Sequence, residues 1–147
     1  LAEHELARAQ RYGNEVAIFM LDVDFFKQVN DEHGHKAGDK VLREIAHIMR
    51  SVLREVDVLG RIGGEEFAIV LPQTGRQMAA EVAERLREQV AGGKMMLDSG
   101  VMLNVTLSIG VAMMTPLRGD LDSLMGQADK GLYEAKAGGR NKVVFNG

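Results

Sequence analysis

Asp57-Val58-Leu59-Gly60-Arg61-Ile62-Gly63-Gly64-Glu65-Glu66-Phe67-Ala68-Ile69-Val70-Leu71-Pro72 is the stretch on which the fold turns. Residues 57–62 and 66–71 each carry a short apolar, β-branched run, and Gly63-Gly64-Glu65 stands between them. Gly-Gly between two strand patterns predicts a hairpin, because the tight primed turns need positive φ. Pro72 has no N–H to give to a ladder and ends the second strand. The same two glycines remove side chains beside two acids, Glu65 and Glu66, so a bulky anionic ligand can approach the backbone.

Upstream, Val16-Ala17-Ile18-Phe19-Met20-Leu21 is an unbroken apolar run and predicts a strand covered on both faces. It leads into Asp22-Val23-Asp24, where alternation puts both carboxylates on one face. Residues 25–32 read as a short helix closed by His33-Gly34. In residues 36–54 the apolar positions Val41, Leu42, Ile45, Met49, Val52 and Leu53 recur at helical spacing. Residues 1–12 are Ala- and Glu-rich and predict a helix stopped by Gly13-Asn14. Downstream, residues 74–90 predict a helix, residues 94–100 and 101–113 a second hairpin, and residues 120–137 a helix ended by Gly138-Gly139. Val143-Val144-Phe145 closes the series as an edge strand. The resulting order predicts an α+β fold: a mixed, mainly antiparallel sheet with helices packed on it, not a doubly wound parallel one.

A length of 147 residues fits one domain, taken as residues 1–147. The first residue is Leu1 and not Met, so the chain is expected to be cut from a longer, multidomain protein. With no cysteine, a disulfide framework and thiolate metal sites are excluded. The 18 basic against 21 acidic residues argue against a nucleic-acid coat and against a polybasic membrane contact. No run reaches the ~18 apolar residues of a membrane span. His33 and His35 flank Gly34, but no third nitrogen or sulfur ligand for zinc stands nearby.

The chemistry-bearing residues are acids. Asp22 at a strand end and Glu65 on a hairpin tip suit a hard divalent cation, which takes one or two protein carboxylates and fills its shell with water and phosphate. Acidic residues also punctuate loops without further purpose, so the pair gains weight only beside the Gly-Gly turn.

Arg61-Ile62-Gly63-Gly64-Glu65-Glu66-Phe67 resembles the signature loop of the GGDEF domains, the diguanylate cyclases, in its Glu variant. Asp22-Val23-Asp24-Phe25-Phe26-Lys27 with Asn30-Asp31 resembles the family's first metal and substrate segment, and Gly34-His35 with Gly38-Asp39 its next. Leu107-Ser108-Ile109-Gly110-Val111 resembles a later core strand. Ala128-Asp129, Tyr133, Ala135-Lys136 and Gly139-Arg140-Asn141 resemble the closing helix and loop. The matching segments run in order from Val16 to Phe145. The family's usual opening segment before its first helix is missing.

The resemblance implies a palm-like fold and an enzyme that joins two GTP into cyclic di-GMP, releasing two pyrophosphates. It implies that Asp22, the carbonyl of Val23 and Glu65 bind metal, Mg²⁺ or Mn²⁺, with two ions flanking the α-phosphate. Glu65 and Asp22 are then the catalytic residues, Glu65 also standing as a base for the ribose 3′-hydroxyl. Asn30 and Asp39 match the family's guanine readers; a carboxylate only accepts, and guanine N1–H and N2–H₂ only donate. Lys136 and Arg140 match the holders of the terminal phosphates. Lys27 adds a contact, Phe26 lines the pocket, and Gly63 and Gly64 let substrate approach.

Arg54-Glu55-Val56-Asp57 matches the family's Arg-x-x-Asp product-inhibition motif, and Arg85 its second contributor. Arg can stack on guanine, pair with it bidentately, or grip phosphate. Each chain of this family supplies one half-site, which implies a homodimer for catalysis, GTP and cyclic di-GMP as ligands, an upstream sensor or dimerising domain, and a cytoplasmic setting. Two other readings stand beside the enzyme. One is a catalytically silent domain that binds GTP or cyclic di-GMP. The other is a pure interaction module.

Overall fold

The computed structural model describes His4, residues 14–114 and residues 120–146. The helix expected over residues 1–12 therefore lies outside the described residues, His4 excepted. In chain order the elements are β1 (Val16–Val23), α1 (Phe26–His33), α2 (His35–Val52), β2 (Val58–Gly63), β3 (Glu66–Pro72), α3 (Arg76–Gly92), β4 (Met95–Met96), β5 (Met102–Leu103), β6 (Leu107–Met114), α4 (Leu121–Ala137) and β7 (Val143–Phe145).

All eight residues of β1 are buried, as its unbroken apolar run requires of a central strand. It lies between β3 and β6 and is antiparallel to both. β2 and β7 are the edges of this five-stranded sheet, and β7 runs parallel to β6. The fold is the expected mixed, mainly antiparallel α+β arrangement.

Alternation along β1 builds the two layers. Ala17, Phe19, Leu21 and Val23 join a core with Val41, Ile45 and Met49 of α2 and Ala79, Ala83 and Leu86 of α3. Val16, Ile18 and Met20 join Leu124, Ala128 and Leu132 of α4 on the opposite face. By the same parity Asp22 belongs to the α4 face.

α4 lies unusually close to β6. A Cβ on Gly110 would stand 2.0 Å from the carbonyl oxygen of Ala128, and one on Gly131 would stand 2.8 Å from that of Val144. Two glycines thus let helix backbone rest on strand backbone, and this seats the last turn of α4 beside the end of β1.

Some boundaries differ from the sequence expectation. α3 begins at Arg76, not at residue 74, because Thr74 is buried in hydrogen bonds with Pro72 and Arg54. Residues 101–113 are not one strand. Met102–Leu103 pairs only with Met95–Met96 in a separate two-stranded sheet, and Leu107–Met114 enters the main sheet. Asn104 divides them: its side-chain amide donates to the carbonyls of Ala91 and Gly93 at the end of α3. Thr106 then gives its carbonyl to the N–H of Asp24.

Candidate active site

The end of β1 is where the chemistry-bearing residues meet. Asp22 is paired across the sheet with Glu66 of β3 on one side and Ser108 of β6 on the other. Its carboxylate is almost wholly enclosed and is ion-paired with Lys136 from the last turn of α4. Burial pushes the Asp22 carboxyl above its ordinary value; the Lys136 ammonium pulls it back, and Glu65 and Asp24 push it further up. Glu66 is raised for the same reasons, burial first and then the charge of Asp22. Crowded carboxylates in low-dielectric surroundings favour any additional cation.

Glu65 is brought in by the hairpin. The turn is Gly64-Glu65, with Gly64 at φ 46° and a register shift between Arg61 and Gly63. That φ suits glycine and strains most other residues. Arg61 Nε donates to the carbonyl of Gly64 at 2.8 Å and closes the turn. The carbonyl of Glu65 then accepts from the N–H of Val23 at 3.3 Å. This one bond sets the tip of the hairpin beside the end of β1. A Cβ on Gly63 or Gly64 would meet nothing within 4 Å, so the space over the turn is open.

Two clefts meet at Glu65. One, of about 430 Å³, is lined by Asp22, Val23, Phe26, Lys27, Glu65, Lys136 and Arg140 among others. The second, of about 420 Å³, is lined by Phe26, Lys27, Asn30, Asp39, Gly64 and Glu65, with His35, Leu42 and Arg61. Phe26, Lys27 and Glu65 belong to both. The first is polar and cationic along one wall. The second is a slot between α1, α2 and the hairpin.

The slot depends on Gly38. A Cβ there would lie 1.9 Å from Asn30 Oδ1 and 3.0 Å from the ring of Phe26, so only glycine lets α2 approach α1 this closely. Asn30 Oδ1 is buried and lacks a hydrogen-bond partner in the protein. Such an atom is costly to leave unmatched, by about 1–3 kcal/mol, and a ligand donor would relieve it. Asp39 is exposed at the slot's rim.

The structure thus brings together Asp22, Val23, Phe26, Lys27, Asn30, Asp39, Gly64, Glu65, Lys136 and Arg140, with Gly63 at the open turn. Three further residues of this region carried no role in the sequence reading. Phe25 takes φ 57° and is 59% exposed, which frees its ring to lie under the Arg140 guanidinium at 4.7 Å. Gln28 and Asp31 line the first cleft. Asp31 stands four residues after Lys27 on α1, on the same face, and that spacing was its available signal.

Arg54, Asp57 and Arg85 lie apart from the two clefts. The Arg54 guanidinium grips Asp57, with Nη2 to Oδ1 at 2.8 Å, and donates to Pro72 O and Thr74 Oγ1, each at 2.8 Å. Asp57 is turned inward, its side chain 2% exposed, whereas the Arg54 side chain remains 49% exposed. Arg85 is exposed on α3.

The donor set fits a hard divalent cation supplemented by ligand oxygens. Asp22 and Glu65 offer two carboxylates at the mouth of one cleft. No group of three or more His, Asp or Glu side chains converges among the described residues, so the protein alone does not build a closed cage. Lys136 supplies a positive charge beside Asp22.

The family model described as diguanylate cyclase, GGDEF domain, matches residues 1–142. The response regulator PleD of Caulobacter vibrioides is 46% identical over 139 residues, which are 93% of this chain and 30% of PleD. The chain spans about a third of the length of the curated relatives it matches. The GGDEF domain of DgcB from Caulobacter crescentus, solved in complex with c-di-GMP, superposes with a TM-score of 0.93 at 33% identity, covering 98% of this chain and 85% of that one. The active GGEEF domain of a diguanylate cyclase from Vibrio cholerae gives 0.91 at 32% identity, covering 99% and 91%.

Proposed function

This chain belongs to the GGDEF family of diguanylate cyclases, and from that premise we propose that it condenses two GTP into cyclic di-GMP and releases two pyrophosphates. The observation that supports this most is the Val23–Glu65 backbone bond, which sets the acid of the hairpin tip beside Asp22 at the meeting of the two clefts.

Guanine enters the slot, where Asp39 and the unmatched oxygen of Asn30 accept its N1–H and N2–H₂. Adenine presents an acceptor at N1 and leaves these oxygens without donors. Phe26 forms the wall between base and phosphates. The triphosphate runs along the first cleft to Lys136 and Arg140, with Lys27 beside it. Asp22, Glu65 and the carbonyl of Val23 hold Mg²⁺ or Mn²⁺. When bound, the metal polarises the α-phosphate and acidifies the attacking hydroxyl. Glu65 takes the proton of the ribose 3′-hydroxyl. The 3′-oxygen bonds to the α-phosphorus of the other GTP, and the bond to pyrophosphate breaks. One chain holds one GTP, so two chains must face each other, and an upstream domain in the longer protein would bring them together. Arg54, Asp57 and Arg85 bind cyclic di-GMP and inhibit the enzyme, which acts in the cytoplasm where GTP is supplied.

Chromatography of a concentrated sample with GTP and Mg²⁺ tests the proposal. Cyclic di-GMP with pyrophosphate is the expected result. GTP binding without product, over a wide range of protein concentration and also when two copies are held together by a fused dimerising segment, would make the chain a binding domain and overturn the enzymatic reading.

A further inference from the structure

Asp24 is the enclosed carboxylate that the chemistry above does not use. Its side chain is 0% exposed. It accepts hydrogen bonds from Thr106 Oγ1 at 2.6 Å, Ser108 Oγ at 2.6 Å and the backbone N–H of Asn141 at 3.0 Å. Arg140 Nη1 lies 3.8 Å from its Oδ1. Its own N–H donates to the carbonyl of Thr106.

The loop it grips has an unusual backbone. Arg140 and Asn141 both take positive φ, 65° and 48°, without being glycine. Two consecutive residues in this region need an outside hold to persist. Asp24 supplies one through the Asn141 N–H, beside the bond from the Arg140 N–H to the carbonyl of Ala135 and that from Arg87 to Asn141 Oδ1. The residue next to Asp24 in sequence, Phe25, is the one whose ring underlies the Arg140 guanidinium. Asp24 therefore bonds the loop that carries Arg140 and directly precedes the residue on whose ring the guanidinium rests.

We propose that Asp24 is a positioning residue, fixing Arg140 over the first cleft so that its guanidinium meets the terminal phosphates of the nucleotide. This rests on the substrate reading given above. Asp24 touches no substrate and acts through Arg140 alone.

The test is a double-mutant cycle on nucleotide binding, with α,β-methylene-GTP, which carries the triphosphate but cannot release pyrophosphate, compared with GMP. Arg140→Ala should weaken the triphosphate analogue about tenfold, the size of one charge-assisted hydrogen bond, and leave GMP within about twofold. Asp24→Asn should do nearly the same. The double variant should bind the analogue no more weakly than Arg140→Ala, because both changes remove one function. A merely structural role would weaken GMP equally and give multiplicative losses, and that overturns the proposal. Where Asp24→Asn fails to fold, Ser108→Ala removes one donor to the same carboxylate; it should show the same pattern at smaller size, and an equal loss for GMP contradicts it. A wild-type protein that binds the analogue no better than GMP would instead remove the triphosphate reading itself. Intact triphosphate preference in Asp24→Asn would overturn the positioning role alone.

Discussion

Lys136, in the last turn of α4, is ion-paired with Asp22 of β1, across 114 residues of sequence. The helix reaches that position because Gly110 and Gly131 let α4 lie against β6. In the proposed function the pair joins the end of the site that would hold metal to the wall that would hold phosphate. It leaves the enclosed Asp22 carboxylate with the Lys136 ammonium as its ion-pair partner.

That enclosure has a consequence for stability. Burial holds the folded-state carboxyl of Asp22 above its ordinary value near 3.8, against the pull of Lys136. The folded protein then binds this proton more tightly than the unfolded chain. Its contribution favours folding in acid and is lost as pH rises from the unfolded value through the folded one. In metal-free protein at neutral pH, Asp22→Asn should therefore raise Tm by a few degrees, about 1 kcal/mol or less, with the gain shrinking toward pH 4. Thermal melts across pH check this. A lower Tm at pH 7 would mean that the Lys136 pair outweighs burial.

Asp39 stands at the rim of the slot that Asn30 and Phe26 enclose. Asp39→Ala should weaken GTP about tenfold or more and remove most of the preference over ATP, because the charged acceptor for N1–H and N2–H₂ is gone. Competition binding with the two nucleotides reads it. An unchanged preference would place guanine elsewhere.

Arg54 is both a hydrogen-bonding strut and, in the proposed function, an inhibitor contact. Arg54→Ala deprives the inward-facing carboxylate of Asp57 of its guanidinium partner. The variant should lose about 1–2 kcal/mol of stability, a Tm drop of several degrees. Its progress curve from GTP should stay straight where the wild type slows as product accumulates. Equal slowing in both would remove Arg54 from inhibition.

Gly110→Ala should be among the more damaging single-methyl additions in the chain. Its Cβ would stand 2.0 Å from Ala128 O and 2.2 Å from Leu132 N, both backbone atoms of α4. Displacing the helix should cost about 3 kcal/mol and move Lys136 away from Asp22. Circular dichroism melts and GTP affinity should both fall.

The central elements were legible because their signals are local. The apolar run of β1, the Gly63-Gly64 turn and the periodicity of α2 each reside within a few residues. Asp22 and Glu65 could be read as candidates for the same reason, whereas Asn30 and Asp39 became candidates only through the family resemblance. The break between β5 and β6 was hidden because Val101, Leu103, Val105 and Leu107 continue one alternating pattern. What interrupts it is the hydrogen bonding of Asn104 to the end of α3. The hold of Asp24 on Thr106 and Ser108 was hidden too, since its partners lie 82 and 84 residues away. Nor does Gly139-Arg140-Asn141 announce that Arg140 and Asn141, rather than glycines alone, carry positive φ. Periodicity reports faces and turns; it does not report which polar groups meet across the sheet.

The most direct measurement compares wild type and Glu65→Gln at matched GTP occupancy in the presence of Mg²⁺, following cyclic di-GMP by chromatography in a single turnover. The account predicts product from the wild type and at least ~10³-fold less from the variant at equal bound GTP, because both a metal-bound carboxylate and the proton acceptor are lost. Equal product from the two proteins would contradict the assignment of Glu65, and with it the site built on the Val23–Glu65 contact.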